Sequence, residues 1–149
     1  MTEEKTYKQE ECIGYLINRV SRSLNKKMSQ NFCSSGSDVS AQQWVVIAKL
    51  WDQDGVNQQE LSRYFGKDKT GMARMLENME NNNLIVRVPD PRDKRNKLVY
   101  LTKKAKEMQN CTLAVAEESL KKAVNDIPES DVNICKSVLC KMYSNLNEG

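Results

Sequence analysis

Catalysis needs nucleophiles, acids and bases or metal ligands, and this chain has few. Its 149 residues include no histidine, which removes histidine general bases, Ser-His and Cys-His nucleophile pairs and imidazole-bound metals together. The five cysteines, Cys12, Cys33, Cys111, Cys135 and Cys140, are an odd number with no C-x-x-C pair. That pattern suits neither a structural zinc site nor a disulfide framework, so buried free thiols are expected. The segment Gly66-Lys67-Asp68-Lys69-Thr70-Gly71 shares residue types with a phosphate-binding loop. It lacks that loop's spacing and follows no apolar strand, so nucleotide hydrolysis is not expected. No enzyme activity, cofactor or metal site is read from these residues.

What remains is a set of cations able to hold a polyanion. Residues 56–101 carry nine basic and six acidic side chains and the rest of the chain fourteen of each, so the net charge of +3 lies entirely in that stretch. A local basic surface suits nucleic acid, although a merely solvated charged face has the same composition. Lys67, Lys69, Thr70, Ala73, Arg74 and Asn78 fall opposite Met72, Met75, Leu76 and Met79 at helical spacing. Short polar and basic side chains of this kind are what a helix presents to a major groove. Arg74 suits a bidentate guanine contact or, equally, a phosphate clamp without base information. Thr70 or Ala73 suits a thymine methyl, and Lys67 and Lys69 suit phosphates. A second group, Arg92, Asp93, Lys94, Arg95 and Lys97, lies between two β-branched runs.

These side chains must be positioned by the elements around them. Ile13, Leu16, Ile17, Val20, Leu24 and Met28 form one stripe of a helix expected over residues 7–32. After a turn-forming run at 34–38, Ser40 reads as an N-cap with Gln43 completing a capping box. The helix it opens bears Trp44, Val45, Ile47, Leu50 and Trp51 and should be buried. Asn57 caps a short helix with Leu61, Tyr64 and Phe65 expected inward, and Gly66 ends it. Asp68 caps the next helix, over 69–81. Two short helices about a glycine turn are a helix-turn-helix pattern. Residues 84–88 and 97–101 read as strands, and the prolines at 89 and 91 predict an irregular loop between them. A hairpin with a basic tip in this place is a wing. Thr102 caps a helix running to about residue 124, and Pro128 opens a last one with Val132, Cys135, Val138, Leu139, Met142 and Leu146 as its stripe.

The terminal helices have more apolar surface than a small central domain can cover. A dimer built by the two chain ends is expected, the other reading being a self-contained helical cap. The fold class is mainly α with a small β-hairpin wing. It is read as a single domain over 1–149, with a winged helix-turn-helix DNA-binding lobe at 40–101 and helical dimerisation regions at 1–35 and 102–149. The charged start, MTEEKTYKQEE, has no apolar signal core, and a cytoplasmic address is expected.

In order and spacing, Gln43, Glu60-Leu61, Thr70 with Arg74, Asp90-Pro91 with Asp93 and Arg95, and Leu101-Thr102 resemble the MarR family of winged-helix transcription regulators. The departures are Asn83 where the family usually has glycine after the recognition helix, and Gly71 inside that helix. The resemblance implies a homodimer on a pseudo-palindromic operator of double-stranded DNA, repression in the family's manner, and release by a small aromatic or anionic effector. It implies that Arg95 enters the minor groove with Asp93 restraining it, and that Arg92, Lys94 and Lys97 touch phosphates. It places an effector cleft near Tyr15, Trp44 and Trp51, where core packing also accounts for the tryptophans. One branch of the family senses peroxide through a first-helix cysteine, which makes Cys12 a redox alternative. The adjacent Glu10 and Glu11 should raise its pKa and oppose that role.

Overall fold

Caps and turns divide the chain into seven α-helices and three strands over the described residues, 6–148 of a computed structural model. A 3-10 turn (Gln9–Glu11) precedes α1 (Ile13–Ser34). The helix expected from residue 7 is therefore broken at Cys12, whose extended backbone forms the N-cap. α2 (Ala41–Asp52) opens on the expected capping box: Gln43 N donates to Ser40 Oγ at 3.1 Å, and Ser40 N donates to Gln43 Oε1 at 3.2 Å. Next come β1 (Val56–Asn57), α3 (Gln58–Tyr64) capped by Asn57, and α4 (Lys69–Asn81) capped by Asp68.

The hairpin is more regular than its two prolines predict. β2 (Ile85–Asp90) and β3 (Asp93–Leu101) pair from Ile85↔Leu101 down to Asp90↔Asp93, with an irregularity at Pro89, leaving Pro91 and Arg92 as the turn. Pro89 is tolerated because β2 is an edge strand in the order β1-β3-β2. The outward N–H of its neighbour Arg87 donates to Glu80 Oε2 instead of lying open to a foreign strand. β1, too short to carry a periodic signal, pairs with β3 through Val56↔Val99.

The single helix expected after Thr102 is two, α5 (Lys103–Glu107) and α6 (Gln109–Ala123), joined at Met108, and α7 (Glu129–Asn147) follows Pro128. Phe32, Val46, Ile47, Leu50, Leu61, Met72, Leu76, Met79, Leu84, Ile85 and Val99 are buried and form one cluster. α2 thus runs through the core as expected, but Tyr64, expected inward, is exposed with Lys49 Nζ 4.4 Å from its ring centre. α1 packs along α6, where Asn31 Nδ2 donates to Ser119 Oγ. α7 buries none of its residues. The thiols correct another expectation: Cys12 is half-buried and the other four are exposed, because they sit on helix faces that one copy of the chain leaves open. No described helix is long and apolar enough to cross a membrane.

Candidate nucleic-acid interface

The N-terminus of α4 is built by its cap. Asp68 Oδ1 accepts from Gly71 N at 2.6 Å, and a Cβ on Gly71 would lie 2.8 Å from that same oxygen. Glycine here costs helix propensity but leaves the cap room to close. At the other end Asn83 adopts φ +60°, with Leu84 N donating to Met79 O at 2.9 Å. Asparagine thus takes the left-handed position usually given to glycine, and the chain turns into β2. Between these ends Met72, Leu76 and Met79 are buried, and Lys69, Thr70, Arg74 and Asn78 are exposed on the opposite side. Lys67 and Ala73 are half-buried.

The wing presents its cation in a fixed pose. Asp93 Oδ1 accepts from the backbone N of Arg95 at 3.1 Å and from its Nε at 3.3 Å, while Asp93 Oδ2 accepts from Asn96 Nδ2. The Arg95 side chain is 92% exposed, so the pair adds little stability and acts on orientation. Arg92 and Lys94 are exposed at and beside the turn, with Arg92 N held by Asp90 Oδ1 at 2.9 Å.

Helix and wing are tied together by Glu80 and Arg87. Glu80 accepts from the backbone N, Nε and a terminal nitrogen of Arg87, and these bonds hold the Glu80 carboxyl below its usual pKa. A cavity of about 370 Å³ opens where α3, α4 and the wing meet. It brings together Lys69, Ala73, Arg95 and Lys97 with Gln58, Gln59, Ser62, Arg87 and Asn96. A neighbouring cleft at the α3–α4 turn holds Lys67 and Lys69 beside Arg63. The glutamines and Arg87 were missed as site residues. Gln58 and Gln59 look like ordinary first-turn residues in sequence, and alternation along β2 marks Arg87 only as inward-facing. Gln58 Oε1 is buried without a hydrogen-bond partner among the described residues.

Asn78, exposed on the same stripe, also makes contacts within the chain. Its Oδ1 accepts from Gln43 Nε2 of α2 and from Asn82 Nδ2, each at 3.0 Å, so half of its amide is committed inside the chain.

The effector candidates do not converge within one chain. Trp44 packs on Phe32 and Trp51 with ring centres 5.7 and 6.1 Å apart, and Trp51 Nε1 donates to Ala105 O. Trp44 Nε1 is buried with no hydrogen-bond partner among the described residues. Tyr15 lies seventeen residues before Phe32 on α1, about 25 Å along the axis, so it lines no common cleft with the tryptophans. A groove of about 490 Å³ between α1 and α6 is lined by Leu16, Val20 and Leu24 with Arg19, Lys27 and Lys122. At Cys12 the expected raised pKa is reversed: a hydrogen bond with Tyr7, then backbone N–H groups of the first turn of α1, lower it.

The sequence profile of the MarR family matches residues 39–97. An uncharacterized HTH-type transcriptional regulator, YybA of Bacillus subtilis (strain 168), is 21% identical over 130 residues, covering 87% of this chain and 85% of that protein. Among solved structures, the Staphylococcus aureus MepR–DNA complex superposes with a TM-score of 0.79 at 24% identity, covering 90% of this chain and 98% of that one. CouR from Rhodococcus jostii RHA1, bound to p-coumaroyl-CoA, has a TM-score of 0.77 at 21% identity, covering 92% and 95%. Nothing in these matches supports the cysteine-based redox alternative.

Proposed function

We propose that this chain, similar to the MarR family over residues 39–97 and to an HTH-type regulator over most of its length, is a transcriptional regulator of that family: a homodimeric repressor of a pseudo-palindromic operator, released by a small-molecule effector. The observation that carries the reading is the basic face shared by α4 and the wing: Lys69, Thr70 and Arg74 stand on one exposed helix stripe, and Arg95 is held by Asp93 beside it. α4 lies in a major groove, with Arg74 at a guanine and Lys67 and Lys69 on phosphates. Arg95 enters the adjoining minor groove, where concentrated negative potential favours a weakly hydrated guanidinium. Arg92, Lys94 and Lys97 hold backbone phosphates. The DNA-complexed MepR fold supports this placement by analogy of architecture.

Dimerisation is supported by α7, which buries nothing in one chain while exposing Ile134, Val138, Leu139, Tyr143 and Leu146. A two-fold dimer sets its recognition helices about 34 Å apart, one DNA turn. The effector reading is supported by Trp44 Nε1, buried without a hydrogen-bond partner among the described residues, and by a groove whose apolar walls and three cations suit an amphipathic anion. CouR binds such an anion, p-coumaroyl-CoA.

Selection of sites from random duplex DNA, followed by titration at several salt concentrations, tests the reading. A palindromic consensus bound by a dimer is expected. Failure to bind any duplex in dilute salt overturns it.

A further inference from the structure

The side-chain amide of Asn78 has an orientation traceable to a group that cannot turn round. The backbone N–H of Ser40 donates to Gln43 Oε1, closing the capping box of α2. With its oxygen engaged, Gln43 offers Nε2, which donates to Asn78 Oδ1 at 3.0 Å. The same oxygen accepts from Asn82 Nδ2, one turn along α4. A carbonyl oxygen has two lone pairs, and both are now used. Asparagine amides often flip at little cost, but a flip here would set one NH2 against two others. Polarity therefore runs one way, from a peptide group of α2 to the surface of α4.

Asn78 is exposed on the stripe that carries Thr70 and Arg74 at four-residue intervals. Its Nδ2 makes no hydrogen bond among the described residues and is the end left for a partner. An asparagine that reads adenine uses both ends of the amide, donating to N7 and accepting from N6. Guanine offers two acceptors side by side, O6 and N7, and matches a group with only N–H to give. We propose that Asn78 is a donor-only specificity residue: the Ser40–Gln43–Asn78–Asn82 relay withholds its oxygen, so it reads guanine and rejects the paired adenine contact. This rests on the DNA-binding reading above.

The test is site selection from random duplex DNA by the full-length wild type, Asn78→Ala and Gln43→Glu, with thermal unfolding of each. Asn78→Ala should lose preference at one position per half-site, by about two- to tenfold, and in the wild type that position should be a G·C pair. Gln43→Glu keeps the acceptor for Ser40 N–H, so the cap and the unfolding temperature should hold. Its second oxygen demands a donor from Asn78 and turns that amide over. Guanine should then give way to a base presenting an amino group, adenine or cytosine, on the same strand. An A·T pair at the Asn78-dependent position, or unchanged preferences in Asn78→Ala, overturns the inference. So does a uniform loss across all sequences with a shallower salt dependence, which marks a phosphate contact. Those outcomes leave the DNA-binding reading standing, whereas a wild type that selects no sequence removes both.

Discussion

Two ion pairs at the candidate interface have similar chemistry and different roles. Arg95 and Asp93 meet in solvent, where such a pair is worth about 0–1 kcal/mol. Arg95→Ala should therefore leave thermal stability unchanged, weaken DNA binding, and lower the slope of log affinity against log salt by about one. An unchanged slope would remove Arg95 from the phosphate-lined groove. Glu80 and Arg87 are set deeper, with the Arg87 side chain 12% exposed and Glu80 39%. The folded-state pKa of Glu80 is depressed, so its stabilisation is present above the unfolded pKa and fades as pH falls through the folded one. Glu80→Gln should be less stable near neutrality by under about 1 kcal/mol after solvent screening. Its melting-temperature gap from wild type should close only below the usual glutamate range. A gap that persists in acid would show that another interaction is responsible. Arg95 and Asp93 were legible as a pair because they are two residues apart. Arg87 and Glu80 were not, because a helix end and a turn separate them.

At the scale of the element, α4 depends on its two ends. Removing the cap with Asp68→Ala should cost about 1 kcal/mol in thermal unfolding. Gly71→Ala should gain helix propensity, up to about 1 kcal/mol, only where nothing opposes the new methyl. In the wild type it meets Asp68 Oδ1 at 2.8 Å, so the gain should be larger in the Asp68→Ala background than alone. Additive effects of the two changes would contradict that contact. At Asn83 the backbone is left-handed, and Asn83→Val should destabilise by about 1–2 kcal/mol. Element boundaries with a chemical signal were readable from sequence: Ser40, Asn57, Asp68 and Thr102 all cap where expected. Boundaries set by neighbours were not. β2 and β3 extend past Pro89 because an edge position makes the missing N–H harmless, and β1 exists because β3 supplies a partner.

For the whole molecule, the apolar surplus of the chain ends survives folding. Ile13, Val20, Ile134, Tyr143 and Leu146 each remain more than half exposed, a pattern that marks an interaction surface. If α7 joins two copies, Leu139→Glu should yield monomers in sedimentation. It should also reduce affinity for a full palindrome far more than for a half-site. A variant that stays dimeric would move the interface elsewhere. The same open faces explain why the thiols are exposed and not buried as expected: Cys135 and Cys140 lie on α7, where one chain provides nothing to cover them.

The amino-acid order alone determined what depends on neighbours a few residues away: helix caps, the apolar stripe of α4, the basic stretch, and the absence of histidine chemistry. Tertiary structure decided what depends on groups far apart in the chain. It joined α3, α4 and the wing around one basic cavity. It separated Tyr15 from Trp44, and it turned the Asn78 amide by way of a peptide group in α2. Local propensity acts over one helical turn, whereas hydrogen-bond direction and burial depend on which distant surfaces the folded chain brings together.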